Sequence, residues 1–357
     1  MSRFLNARFA DLEAYTPGEQ PRILNLIKLN TNESPFPPSP QVLAAANAGQ
    51  AAALRLYPDP ECTVLREKLA VRYEVEKENI FLSNGSDDIL NFAFMAFSGN
   101  GVEAVFPEIS YGFYPVFTAL HGISWRGIPL REDFSVNPAD YYDTGCFTVI
   151  ANPNAPTGMV LSPGEVEEIL RRNPDRVVLI DEAYVDFGAE SCVPLTKKYD
   201  NLLVVMTFSK SRSLAGARIG FAIGNPELIQ DLNKIKYSTN PYSINRLSLA
   251  IGEAAMDSRD YYEEKCREIA RVREETAARL KEMGFTVLPS KANFLFTRKE
   301  GFDGGELYRK LKERGILVRH FTAEKIAQYN RVTVGTAEEM EKFLQTVEEI
   351  LKGGDRQ

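Results

Sequence analysis

Between residues 79 and 208, short runs rich in β-branched and aromatic residues alternate with segments of helical spacing. No other feature of the chain limits its fold as strongly. The runs 79–82, 102–106, 146–151, 177–180 and 203–208 are almost continuously apolar, the pattern of strands buried on both faces. Segments 63–73, 87–97 and 165–172 carry the helical period, and Ser162-Pro163-Gly164-Glu165 is a capping box with proline at the first helical position. The expected class is α/β, a mostly parallel sheet in a large domain. After residue 260 the texture changes to a long charged amphipathic helix over 261–283, strand-like runs at 293–297 and 316–318, and a final helix over 338–351. These predict a smaller α+β domain. The expected organisation is an N-terminal arm and small-domain segment at 1–40, a large domain at 41–260 and a small C-terminal domain at 261–357. The proline-rich stretch LNTNESPFPPSP, 29–40, crosses between domains without regular structure.

Charge and composition narrow the partners. A formal net charge of -7 gives a field that repels nucleic acid and anionic membranes. The first 20 residues include Asp11, Glu13 and Glu19 and no apolar stretch of signal length, and no later run reaches the roughly 18 apolar residues of a membrane span. A soluble, cytoplasmic protein is expected, with no nucleic-acid or membrane partner. Cys62, Cys146, Cys192 and Cys266 are widely spaced and only His121 and His320 could join them on a metal, so buried free thiols are expected and no metal site.

In a parallel sheet ligands bind beyond the carboxyl ends of the strands, so the residues just after each strand carry the chemistry. Ser83-Asn84-Gly85-Ser86-Asp87 follows one strand and opens a helix, where free N–H groups and the helix dipole suit a phosphate. Tyr111, in PEISYGFYP, and the turn-forming Asn152-Pro153-Asn154-Ala155-Pro156-Thr157-Gly158 follow the next strands. The strand VVLI runs directly into Asp181-Glu182-Ala183-Tyr184, and a buried carboxylate there needs a cation or a donor. Thr207-Phe208-Ser209-Lys210 ends another strand, Arg218 lies eight residues on, and Gly216 and Gly220 permit close backbone approach. A lysine beside two hydroxyls and an arginine can carry a carbonyl as an imine while its neighbours grip a phosphate. Pyridoxal 5'-phosphate (PLP) needs this set: an anchored phosphate, a stacked ring, a carboxylate for the pyridine nitrogen and a lysine for the aldehyde.

Further motifs run the length of the chain: YTPGE at Tyr15, KLNTNESP at Lys28, YPDP at Tyr57, NGSDD at Asn84, NPNAPTG at Asn152, DEAY at Asp181, TFSKSRSLAGARIG at Thr207, KANF at Lys291, ILVR ending at Arg319 and RVTVGT at Arg331. On these the chain resembles the fold type I, class II PLP-dependent aminotransferases, and within them the histidinol-phosphate aminotransferase family, over almost its whole length. The resemblance implies that Lys210 is joined to the cofactor aldehyde and shuttles the proton at the substrate carbon. Asp181 would pair with the pyridine nitrogen, Tyr184 bond the ring hydroxyl and Tyr111 stack on the ring. Gly85, Ser86, Thr207, Ser209 and Arg218 would hold the phosphate and Asp87 would bind the cofactor beside them, with Tyr57 reaching over from a second subunit of a homodimer with shared active sites. Tyr15, Asn32, Asn293, Arg319 and Arg331 would meet the substrate.

The implied reaction interconverts L-histidinol phosphate plus 2-oxoglutarate with imidazole-acetol phosphate plus L-glutamate, a step of histidine biosynthesis. An aromatic aminotransferase or a threonine-phosphate decarboxylase shares most of the cofactor motifs. A PLP-binding regulator would carry an added DNA-binding module, which this acidic chain is not expected to have, and the only GxGxxA match, 99–104, precedes a strand where a nicotinamide enzyme needs it to follow one. The chain departs from the family twice. Ala155 stands before PTG where asparagine is usual, so the contact to the ring hydroxyl falls to Asn154 or Asn152 through a shifted backbone, or to Tyr184 alone, with Asn154 the expected choice, and FPP follows NESP in place of a glycine-containing form.

Overall fold

A computed structural model describes residues 2–21 and 26–353. Seven strands make one sheet: β2 (Ile80–Ser83), β3 (Ala104–Pro107), β4 (Trp125–Ile128), β5 (Phe147–Ala151), β6 (Val178–Asp181), β7 (Leu202–Thr207) and β8 (Gly220–Gly224). Five make another: β1 (Ile27–Leu29), β9 (Phe285–Val287), β10 (Phe294–Lys299), β11 (Ile316–His320) and β12 (Asn330–Thr333). The large sheet has the order β2-β8-β7-β6-β5-β3-β4. Its pairs from β7 through β6, β5 and β3 to β4 are parallel. Only β8 runs against its neighbours β2 and β7. The expected α/β class with a mostly parallel sheet and a smaller α+β unit is what the chain forms.

The apolar runs are buried for the reason their composition suggests. Every residue of β5, β6 and β7 is buried, with helices on both faces. Each Val, Leu or Ile removed from water there contributes about 1.5–3 kcal/mol. The predicted capping box starts the helix Pro163–Arg171, with Ser162 N–H donating to Glu165 at 2.8 Å and Glu165 N–H to Ser162 Oγ at 3.3 Å. Such a cap is worth about 1 kcal/mol.

Strand β8 was not expected, because glycines at both ends weaken its strand signal. Gly220 is there for contact: a Cβ on it would fall 2.3 Å from the Gly85 carbonyl carbon and 2.4 Å from Ser86 N. Gly216, expected to allow a similar approach, has no atom near its missing Cβ and faces open space. In the small sheet, of order β1-β11-β12-β10-β9, strands β1, β9 and β12 are additions to the two expected runs. Strand β1 pairs parallel with β11, which ties the N-terminal segment to the C-terminal unit, and residues 30–39 then cross to the helix Pro40–Ala45 without regular structure. All four cysteines are buried and free. No helix among the described residues is long and apolar enough to cross a membrane.

Candidate active site

The carboxyl ends of β5, β6 and β7 open into a cleft lined by Ser86, Asp87, Tyr111, Asp181, Tyr184, Thr207, Ser209, Lys210 and Arg218, together with Thr31, Glu33 and Ala155. One corner is built for an anion. Gly85 caps the helix Ser86–Phe97 at φ +84, a conformation open to glycine, and a Cβ on it would strike Arg218 Nη2 at 2.5 Å. Arg218 itself is held at φ 55, strained backbone for a residue with a side chain, and its guanidinium reaches Asp87 at 2.9 Å. Across the corner Thr207 Oγ1 donates to Ser209 Oγ at 3.0 Å and accepts Ser209 N–H at 3.1 Å. A helix N-terminus, two hydroxyls and a guanidinium thus converge where the two glycine backbones keep the space open, and these are the donors a phosphate requires.

The other corner is built for a ring. Asp181 ends β6 fully buried; burial raises its carboxyl from 3.8 to about 6, opposed by hydrogen bonds from Tyr114 and from Ala183 N–H. Tyr114 O–H donates at 2.9 Å and Ala183 N–H at 3.2 Å. Tyr111 O–H donates to Asp87 at 2.7 Å, which fixes its ring, and burial drives its phenol far above the ordinary value. Lys210 Nζ lies 3.3 Å from Thr31 O and 5.7 Å from the centre of the Tyr184 ring. Asn154 does not enter this corner. Its amide donates to Ile109 O at 3.0 Å and to Thr157 at 3.1 Å and accepts from Ser110 at 2.8 Å, so Ala155 lines the cleft instead. The expected Asn154 contact is corrected: both amide hydrogens are taken by loop partners, Ile109 O and Thr157 Oγ1. Anion corner, carboxylate, phenol and lysine together fit PLP.

An adjoining cleft of about 430 Å³ is lined by Tyr15, Asn32, Arg319 and Arg331 and shares Tyr111, Tyr184 and Lys210. Tyr15 stacks on Phe113, ring centres 4.2 Å apart. Asn32 donates to Tyr184 Oη at 3.0 Å and accepts from Thr333 at 3.1 Å, while Asn293 donates to the Asn32 carbonyl at 3.0 Å. These two asparagines, expected at the substrate, therefore also hold Tyr184, and Asn293 stands behind Asn32. Arg319 and Arg331 are cross-strand partners in β11 and β12. Burial lowers the Arg331 pKa, Arg319 lowers it further, and Arg331 Nε is enclosed without a hydrogen-bond partner. Tyr57 lies outside both clefts, 78% exposed and stacked on Tyr242 at 4.5 Å.

Three contributors were not anticipated from sequence. Thr31 and Glu33 come from the crossing segment, whose lack of pattern hid them. Tyr114 lies inside the motif that carries Tyr111, but only the observed helix start turns its hydroxyl to Asp181. Glu182, next to Asp181, is buried behind the cleft and accepts Cys192 N–H and Ser191 O–H, both at 2.6 Å; burial lifts its carboxyl from 4.5 to about 7. A carboxyl with a raised folded-state pKa holds its proton better folded than unfolded, so stability falls as pH rises from about 4.5 through 7. Glu182→Gln, which keeps one acceptor and one donor for the same partners, is expected to raise Tm relative to the parent more at pH 8 than at pH 5. Thermal melts at the two pH values check this; equal shifts at both would sink it.

The fold and the cleft define a class: a family model described as aminotransferase class I and II matches residues 25–347. Within that class, the histidinol-phosphate aminotransferase of Brachyspira hyodysenteriae is 51% identical over 355 residues, 99% of this chain and 100% of the relative. Histidinol-phosphate aminotransferase 2 of Dechloromonas aromatica is 49% identical, covering 98% and 99% of the two chains. The chain belongs to the histidinol-phosphate aminotransferase family. Among solved structures, the histidinol-phosphate aminotransferase of Sinorhizobium meliloti, in complex with pyridoxal-5'-phosphate, superposes with a TM-score of 0.84 at 25% identity, covering 92% of this chain and 91% of that one. The enzyme of Clostridium acetobutylicum shares the fold at TM-score 0.85 and 23% identity, over 92% of this chain and 100% of its own.

Proposed function

We propose that the protein is a PLP-dependent histidinol-phosphate transaminase, interconverting L-histidinol phosphate plus 2-oxoglutarate with imidazole-acetol phosphate plus L-glutamate in histidine biosynthesis. The observation that carries the substrate side is the Arg319–Arg331 pair. Two arginines at directly paired positions of antiparallel strands line one cleft, with no carboxylate within ion-pair distance of either among the described residues. Like charges opposed in this way are destabilising unless an anion sits between them, and both a phosphate ester and a dicarboxylate supply one.

PLP, when bound, supplies an aldehyde that takes up an amino group and a pyridinium ring that draws electrons from the carbon losing its proton. Ser86, Thr207, Ser209 and Arg218 hold its phosphate by hydrogen bonds, with backbone N–H groups at the helix start beside Gly85. Asp181 accepts from the ring nitrogen and keeps it protonated. Tyr184, held by Asn32, would bond the ring hydroxyl, and Tyr111 would cover the ring face. Lys210 would hold the cofactor's aldehyde and would serve as the base that moves the proton at the substrate carbon. Tyr15, Asn32, Arg319 and Arg331 orient the substrate, whose phosphate or distal carboxylate neutralises the two guanidiniums.

The functional unit proposed is a cytoplasmic homodimer. Tyr57 lines neither of its own subunit's clefts, yet it stands exposed beside the exposed Leu54 and Leu56 of the same segment, apolar side chains suited to a second copy. The dimer would place this tyrosine at the neighbouring phosphate corner.

Mixing PLP-loaded protein with L-histidinol phosphate should bleach the visible cofactor band, and 2-oxoglutarate should restore it. A band that ignores histidinol phosphate, or release of carbon dioxide from threonine phosphate, would move the chain to another activity on the same fold. Sedimentation should give a species of twice the 40.0 kDa chain mass.

A further inference from the structure

Asp181 is a buried carboxylate with no cation in ion-pair contact among the described residues. Its two oxygens have one neutral donor each, Ala183 N–H on Oδ1 and Tyr114 O–H on Oδ2. An ionised carboxylate accepts about four hydrogen bonds, so both oxygens keep capacity for a ligand N–H. Tyr114 comes from a different element, the helix Tyr114–His121, and is fully buried. Its ring packs 5.6 Å from Phe106 and 6.3 Å from Phe94, and stands edge-on to Tyr111 at 5.6 Å. With the ring so packed, the hydroxyl donates to Asp181.

We propose that Tyr114 is a positioning residue for the cofactor: its hydroxyl fixes the Asp181 carboxylate in place and favours its ionised form, ready for the ring nitrogen. This rests on the role proposed above for Asp181 and extends it to a side chain that does not line the cleft.

The charges around the carboxylate make this donor matter. Burial, the largest influence, disfavours ionisation, as does Asp87 from the helix Ser86–Phe97; Tyr114, Ala183 N–H and Lys210 after β7 favour it. Asp87 is itself paired with Arg218, and the Tyr111 phenol beside Tyr114 is driven far above the ordinary tyrosine value by burial. Tyr114 is held far above the ordinary tyrosine value by burial and by Asp181, so it remains a donor at every working pH. Taking the hydroxyl away removes the strongest force opposing burial. The carboxyl then ionises at higher pH and sits less firmly.

The test is cofactor association with the apo-protein, followed by visible absorbance across pH 5.5–9, for the parent, Tyr114→Phe, Asp181→Asn and the double variant. Phenylalanine keeps the ring contacts, and near-UV circular dichroism checks that it does. The parent should show weakening association below about 6, where Asp181 takes up its proton. Tyr114→Phe should move that midpoint upward by about half a unit or more and weaken binding at pH 6.5 by about 3- to 10-fold, the scale of one ordinary net hydrogen bond. In the Asp181→Asn background the same change should have no effect. A Tyr114→Phe midpoint equal to the parent's, or an equal loss with and without Asp181, would make Tyr114 a packing residue and overturn the proposal. If Asp181→Asn leaves the acid midpoint in place, the role of Asp181 fails first, and the Tyr114 proposal with it.

Discussion

Lys210→Ala should lower transamination of L-histidinol phosphate by about 10⁴-fold, the upper end of what a positioned proton-transfer group supplies, and should abolish the visible band of lysine-joined cofactor. The lysine is placed for both tasks. Its Nζ is at the end of β7, lines both the phosphate-side and the substrate-side clefts, and makes one hydrogen bond, to the Thr31 carbonyl. Little in the fold depends on it, since a single partly exposed hydrogen bond contributes only about 0.5–1.5 kcal/mol. Activity and stability therefore separate: Tm should stay close to the parent's while turnover is lost. Steady-state kinetics and a thermal melt on the same preparation check this. Retained turnover would remove Lys210 from the chemistry, and a collapse in Tm would make the loss uninformative about it.

The cofactor corner is legible in the sequence because one geometric rule does most of the selection. Parallel strands deliver their last residues to one edge, so Ser86, Asp181, Thr207, Ser209 and Lys210 can be picked out by position alone, and the structure brings them into one cleft. What the rule does not reach is direction. Asn154 follows β5 as the rule demands, but its amide is drawn to the 109–110 backbone and Thr157, contacts set by a loop that no periodicity encodes. Tyr114 shows the converse, a residue that looks like core and is core, with one hydroxyl turned to the site. The small sheet was half visible: β10 and β11 have apolar runs, whereas β12 reads Asn-Arg-Val-Thr, a polar stretch whose strand character comes from its partners. The opposition of Arg319 and Arg331 follows from that pairing, and sequence can nominate the two arginines without placing them face to face.

That opposition sets the second large effect. Arg331→Met should lower kcat/KM for histidinol phosphate by about 10²- to 10³-fold, as expected for losing two charge-assisted hydrogen bonds of about 1.5–3 kcal/mol each, only partly replaced by Arg319. The same substitution should leave the apo-protein no less stable, with Tm within about 2 °C of the parent or above it. In the fold Arg331 has one hydrogen bond, to Asn30 O at 3.0 Å, and its guanidinium lies over Phe294 and Phe321. Against these gains stand the desolvation of a charge on a half-buried side chain, an enclosed Nε with no acceptor and a like charge at the paired position. Methionine keeps the apolar stem against the two rings and removes all three costs. A residue kept at such a cost to the free protein is one that an anionic ligand compensates, so catalysis and stability should move apart. Kinetics with histidinol phosphate and with L-glutamate, beside apo-protein melts, would decide. A fall in Tm above about 4 °C with only a few-fold loss in kcat/KM would show that Arg331 serves the fold, and the anion site proposed between β11 and β12 would lose its main support.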